Sequence, residues 1–222
     1  MSDLAARLHY PDPRPGEDRL LLVMLPGAGM MAEDFAARGF VNEVQHGGAI
    51  VDMIAAQPDQ TLYLDGTVAQ VLETAVLAPA RAVGYRRIWL LGISLGGMGA
   101  LACAATHDGS VQGLILLAPF IGTHATVREL SRAGGFAGWQ PATSAATMAE
   151  RKILIWMKSY LAGGSVVPAL WLGYASQDRF AAGHTLLAGA LQQDRAVQVE
   201  GGHDWTAWRA AFHGIIARKP FG

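Results

Sequence analysis

The pentapeptide Gly92-Ile93-Ser94-Leu95-Gly96 has a serine flanked two residues away on each side by glycine. That spacing is what a nucleophile elbow needs, because the serine then sits in a strained turn between a strand and a helix, where a Cβ at either glycine would press on neighbouring chain. A serine hydroxyl exposed on such a turn does acyl-transfer chemistry, provided that a base removes its proton and an acid orients the base.

Where an elbow supplies the nucleophile, the acid and then the histidine follow it along the chain. Of the seven histidines, His9 and His46 precede the serine, and His107 and His124 precede any acid sited after a later strand. His184 and His213 lie in helical patterns, where a solvated or capping role is the ordinary one. His203, in the glycine-rich "VEGGHDW", is left as the base. Asp178, in "LGYASQDRF" just past an apolar strand, is placed to hold it. Asp204 adjoins His203 too closely to orient its ring and reads instead as the cap of a following helix, and Asp194 stands at the wrong end of its strand.

The oxyanion of a tetrahedral intermediate needs N–H donors. The amide of Leu95, at a helix N-terminus, is one. The second is expected from the loop "LPGAGMM" after the first strand, at Ala28, with Met30 as the fallback. "PGAG" is not a phosphate loop, since the lysine and Ser/Thr of that motif are missing.

These residues need a scaffold, and the chain alternates apolar runs with helical patterns. Strands are expected at 19–25, 49–56, 86–93, 111–120, 168–175 and 195–200. A helix with a kink or restart at Pro79 is expected over 67–85, and another carries Trp205, Trp208 and Phe212 along one face. Strands apolar throughout and separated by helices imply a mostly parallel sheet covered on both faces, an α/β architecture. The uncharged stretch 88–105 resembles a membrane span, but Gly92, Gly96, Gly97 and Gly99 would weaken a helix at its centre. It divides better at Ser94 into a buried strand and a helix of small residues.

Composition narrows the partners. The chain has 222 residues, a net charge of −1 and 51% hydrophobic residues, enough for one domain and without a basic face for nucleic acid. The N-terminal "MSDLAARLHYPDPRPGEDR" has no apolar run of signal-peptide length and reads as a polar lead-in. Cys103 is the single cysteine, and reads as a small buried residue. Both features suit a cytoplasmic protein. No pair of histidines has the spacing of a metal site, so neither metal nor cofactor is expected.

Taken together, "LPGAG", "GISLGG", "SQDRF" and "GGHDWTAWR" resemble the α/β-hydrolase superfamily, and the last is similar to the histidine region of esterase D-like and enterochelin-esterase-like hydrolases. The resemblance covers almost everything after residue 19. It implies a serine hydrolase with Ser94, Asp178 and His203 as triad, acting on a small carboxylic ester through an acyl-enzyme. A thioesterase or acyltransferase with the same triad is the near alternative, and a non-catalytic binding protein on this fold the distant one. Serine at the elbow, in place of aspartate, argues against a dehalogenase.

Two departures stand out. Pro26 replaces a histidine that many members carry, and the first strands of larger members are missing, which leaves a compact single-domain sheet (1–222) of about six strands. Members often insert a lid after the strand ending here at Phe120. Residues 121–165 fill that interval, with "ATMAERKILIWMKSYLAG" expected as a core helix and the rest a small cap or none. Gly27, Met30, Met31, Phe120, Phe136 and Trp139 are expected to form an apolar substrate pocket. The partner implied is a small ester or thioester, with no nucleic acid or membrane, and the protein a monomer or homodimer.

Overall fold

The computed structural model describes residues 4–14, 19–107, 109–163 and 168–222. Among these, seven strands form one sheet: β1 (Leu4–Tyr10), β2 (Leu20–Leu25), β3 (Val51–Pro58), β4 (Arg87–Ile93), β5 (Gly113–Leu117), β6 (Ala169–Ala175) and β7 (Ala196–Val199). Their spatial order is β1-β3-β2-β4-β5-β6-β7. All neighbours pair in parallel except β1, which runs antiparallel to β3.

The helical segments are α1 (Asp34–Ala37), α2 (Phe40–His46), α3 (Thr61–Leu64), α4 (Val68–Leu72), α5 (Ala78–Ala82), α6 (Leu95–Thr106), α7 (His124–Arg132), α8 (Met148–Leu161), α9 (Ala181–Ala190) and α10 (Trp205–Ile216). They cover the sheet on both faces. One core layer packs α4, α6 and α8 on it through residues such as Leu72, Leu101 and Leu154. The other uses Phe35, Phe40, Trp208 and Phe212 from α1, α2 and α10. This is the α/β-hydrolase fold: an open, mostly parallel sheet wrapped by helices.

The sheet has seven strands against the expected six or so, and the additional one is β1, in the segment read as a polar lead-in. Its residues alternate between half-buried and exposed along the whole strand, as an edge strand with one covered face does. Arg7 on its exposed face has a structural task. Pro79 cannot donate a hydrogen bond to the carbonyl four residues back, and the carbonyl of Ala75 accepts from Arg7 Nη1 at 2.8 Å instead. The helix therefore does not break at Pro79. It passes through a π-helical stretch at Glu73–Leu77 and continues into α5.

β5 stops at Leu117, short of the expected 120, because Ala118 turns into the left-handed region at φ 44° and Pro119 follows. Stretch 88–105 divides at Ser94 between β4 and α6, and no helix among the described residues is long and apolar enough to cross a membrane. In the interval 121–165, α8 is a core helix with Ile153, Leu154 and Met157 buried. Glu150 ties its start to that of α7, accepting from Thr123 N–H (2.6 Å) and Thr147 N–H (2.8 Å). Residues 164 and 165 lie outside the described residues.

Candidate active site

In a parallel sheet the loops at the carboxyl ends of the strands share one edge, and ligands bind where the strand order reverses. Here the chain goes from β2 to β3 on one side and returns to β4 on the other side of β2. The turn after β2 and the turn after β4 are therefore neighbours, with Leu25 paired to Gly92. Ser94 stands in the second of them. Asp178 follows β6 and His203 follows β7, along the same edge.

Ser94 has φ 52° and ψ −111°, a strained backbone for a residue with a Cβ. The surroundings hold it there: its N–H donates to Leu117 O (2.9 Å) and its carbonyl accepts from Phe120 N–H (2.9 Å). The turn also demands glycine. A Cβ on Gly96 would lie 2.0 Å from the carbonyl oxygen of Leu25, and one on Gly92 would lie 2.3 Å from that of Gly96.

The structure brings the three predicted residues into one hydrogen-bonded chain. His203 Nε2 lies 2.9 Å from Ser94 Oγ, and His203 Nδ1 lies 2.7 Å from Asp178 Oδ2. Burial opposes ionisation of Asp178, but hydrogen bonds from His203 and from Phe180 N–H (2.8 Å) outweigh it and hold the carboxyl below its usual pKa. An ionised carboxylate only accepts, which assigns the proton of neutral His203 to Nδ1 and leaves Nε2 free to accept from the serine hydroxyl.

The rings of Phe180 and Trp208 stand edge-on to the imidazole, with centroids at 5.2 and 5.0 Å. Neither is expected at the site from the sequence, where Trp208 reads only as part of an apolar helix face. The signals lay in the position of Phe180 two residues past Asp178 and of Trp208 on the buried face of α10.

Asp204 caps α10, accepting from Ala207 N–H at 3.1 Å. Cys103 is fully buried, and burial pushes its thiol up to about 12. His184, read as solvated or capping, is instead fully buried. It lies on the same face of α9 as Leu187, one turn on, and that apolar spacing was its signal.

The Leu95 amide opens the twelve-residue α6, where no earlier helical carbonyl faces it and the helix dipole favours negative charge. In the turn after β2, Ala28 is exposed and its N–H has no partner among the described residues. The N–H of Met30, the fallback donor, is already committed to Gly27 O at 3.2 Å.

The expected pocket residues separate. Gly27, Met30 and Phe120 cluster around the serine turn. The Met30 methyl and the Ile93 carbonyl both abut Gly27, and the Phe120 ring packs on Phe180 at 5.6 Å. Met31 is 52% exposed. Phe136 and Trp139 do not open towards Ser94. They are buried in the core with Leu130, Leu154 and Met157, where Trp139 Nε1 donates to Glu129 (2.7 Å), because the segment after α7 must cover an apolar helix face.

Comparison with known proteins agrees with the architecture. The family model described as alpha/beta hydrolase fold matches residues 55–162, just under half of the 222. Among curated proteins there is no significant match. The fluorophosphonate-binding serine hydrolase FphF of Staphylococcus aureus superposes with a TM-score of 0.69 at 13% identity, over 98% of each chain. The S-formylglutathione hydrolase FrmB of the same organism gives 0.64 at 14% identity, over 90% of this chain and 80% of that one. A ferulic acid esterase gives 0.61 at 16%, over 91% and 85%. At these identities the likeness is one of fold.

Proposed function

We propose that this α/β-hydrolase-fold chain is a serine hydrolase that cleaves small carboxylic esters through an acyl-enzyme. The observation that carries the reading is the hydrogen-bonded series Ser94–His203–Asp178 on the carboxyl edge of the sheet. His203 Nε2 takes the serine proton as Oγ attacks the ester carbonyl, and Asp178 stabilises the resulting imidazolium and keeps the ring oriented. The oxyanion sits between the Leu95 and Ala28 amides; loss of one such donor typically costs about 100- to 1,000-fold in rate. His203 then protonates the departing alkoxide. Water, deprotonated by the same imidazole, attacks the acyl-enzyme and releases the acid with Ser94 restored.

The half-buried Met30 and Phe120 beside the serine favour a short or medium acyl group over a polymer or peptide. Hydrolysis of p-nitrophenyl esters and matching thioesters of graded chain length tests this reading. We expect a burst of p-nitrophenol equal to the enzyme concentration and kcat/KM highest for short or medium acyl chains. Absence of turnover with every chain length would refute it.

A further inference from the structure

Helix α9 carries a histidine for which the proposed chemistry has no use. His184 is fully buried, and its Nε2 lies 3.0 Å from the carbonyl oxygen of Pro119. A carbonyl only accepts, so Nε2 carries the proton and Nδ1 is a bare acceptor, which is buried without a partner. An apolar side chain of similar shape would avoid that desolvation, so the Nε2–H bond is the feature that accounts for a histidine here.

What this bond grips is the turn that holds the nucleophile. Pro119 lies between Leu117, whose carbonyl accepts from Ser94 N–H, and Phe120, whose N–H donates to Ser94 O. Ala118 before it is strained at φ 44°, as Ser94 is at φ 52°, and a Cβ on Gly97 would lie 2.7 Å from Pro119 Cβ. The strained Ser94 is thus held by the residues on either side of Pro119 and the strained Ala118. In its first turn, which carries His184, α9 is anchored to the acid: Ala181 N–H donates to Asp178 O (2.9 Å), and His184 N–H to Phe180 O (3.3 Å).

We infer that His184 is a positioning residue, whose Nε2–H bond to Pro119 straps the strained Ser94 turn to the helix that continues from Asp178. The strap fixes the spacing of nucleophile and acid, and with it the space left for the His203 ring between them. The groups facing His184 fit a neutral imidazole. Burial holds its pKa down against the attraction of Asp178 and the hydrogen-bonding carbonyls of Pro119 and Ala118, while the Tyr174 ring lies beside it at 5.8 Å.

This inference rests on the proposed hydrolase reading, and its test is built so that the two fail separately. Glutamine at 184 can place an amide N–H where Nε2 stands, whereas asparagine reaches only to the Nδ1 position. Wild type, His184→Gln and His184→Asn, each checked for native circular dichroism, are reacted with a fluorophosphonate over a concentration series. We expect His184→Asn to lose about 10- to 100-fold in the maximal labelling rate with an unchanged half-saturating concentration. We expect His184→Gln to recover most of that loss. Labelling of the asparagine variant at the wild-type rate, or of the glutamine variant as slowly as the asparagine one, would overturn the strap.

Imidazole 15N NMR of the wild type needs no variant to fold and no turnover. His184 should be the Nε2–H tautomer and His203 the Nδ1–H tautomer; a charged or Nδ1–H His184 would equally overturn it. Failure of the wild type to label, with the predicted tautomers present, would count against the hydrolase reading and not the strap.

Discussion

A serine hydroxyl is a weak nucleophile until a base stands at hydrogen-bonding distance with its lone pair free, and in the proposed reading Asp178 sets up that condition at Ser94. Because the carboxylate is held ionised by His203 and the Phe180 amide, it fixes the tautomer that leaves Nε2 unprotonated. Replacing Asp178 with asparagine favours the wrong tautomer and should lower kcat by about 10⁴-fold. Asp204 beside His203 tests whether mere proximity matters. As the cap of α10, its change to alanine should cost about 1 kcal/mol in a urea melt while leaving ester hydrolysis nearly unchanged. The reverse ranking of these two would displace Asp178. Ser94, Asp178 and His203 were legible because each sits beside an apolar strand in a loop with local punctuation. Phe180, Trp208 and His184 were not, because what they touch is brought close only by tertiary packing. Phe136 and Trp139 were misplaced for the same reason, since an aromatic that fills a core and one that lines a pocket look alike in sequence.

Elements impose the next constraint, and the tightest lies where α6 leaves β4. A methyl group on Gly96 has nowhere to go except into the Leu25 carbonyl, a backbone atom that cannot swing aside. Gly96→Ala should therefore destabilise the fold by at least about 1–3 kcal/mol, and should reduce hydrolysis even at temperatures where the variant stays folded, because α6 carries the Leu95 amide. Thermal melts and kcat measured side by side check this; a variant with unchanged melting and rate would show that the helix has room to move. Most of this layer could be read in advance: strands buried on both faces are continuous apolar runs, as β2, β4, β5 and β6 are nearly throughout, while β3 carries Asp52 and the short β7 exposes Gln198. β1 escaped because its alternation is weak, Leu4, Ala6, Leu8 and Tyr10 being interleaved with Ala5, Arg7 and His9, and ends at Pro11, so it looked like a leader. The π-helical stretch before Pro79 escaped because its stabilising partner, Arg7, comes from that same strand.

For the whole molecule, the two ends of the sheet have different tasks. The carboxyl edge holds the strained turn and the hydrogen-bonded series. The amino edge holds a polar cluster at the strand starts, in which Asp52 accepts from Arg19 Nε and from Tyr85 Oη, both at 2.6 Å, and from Asp12 N–H at 2.8 Å, while Asp12 pairs with Arg14. The hydrogen bond from Arg14 holds the Asp12 carboxyl far below its usual range. Burial works against ionisation of Asp52, but Arg19 and Tyr85 outweigh it and keep it low as well. Groups whose folded pKa is depressed stabilise the fold above the ordinary aspartate value of about 4, and that contribution is lost as pH falls towards the folded values. The urea midpoint should therefore drop between pH 6 and pH 3, and drop less in Arg19→Gln, which has already given up part of this contribution. An equal drop in both proteins would remove the cluster from the account. Whether the serine at position 94 is activated is read out most directly by intact-mass analysis after exposure to a fluorophosphonate. One adduct per chain is expected on the wild type and none on Ser94→Ala; a folded wild type that takes up no adduct, or an adduct that persists in the variant, would rule out an activated Ser94.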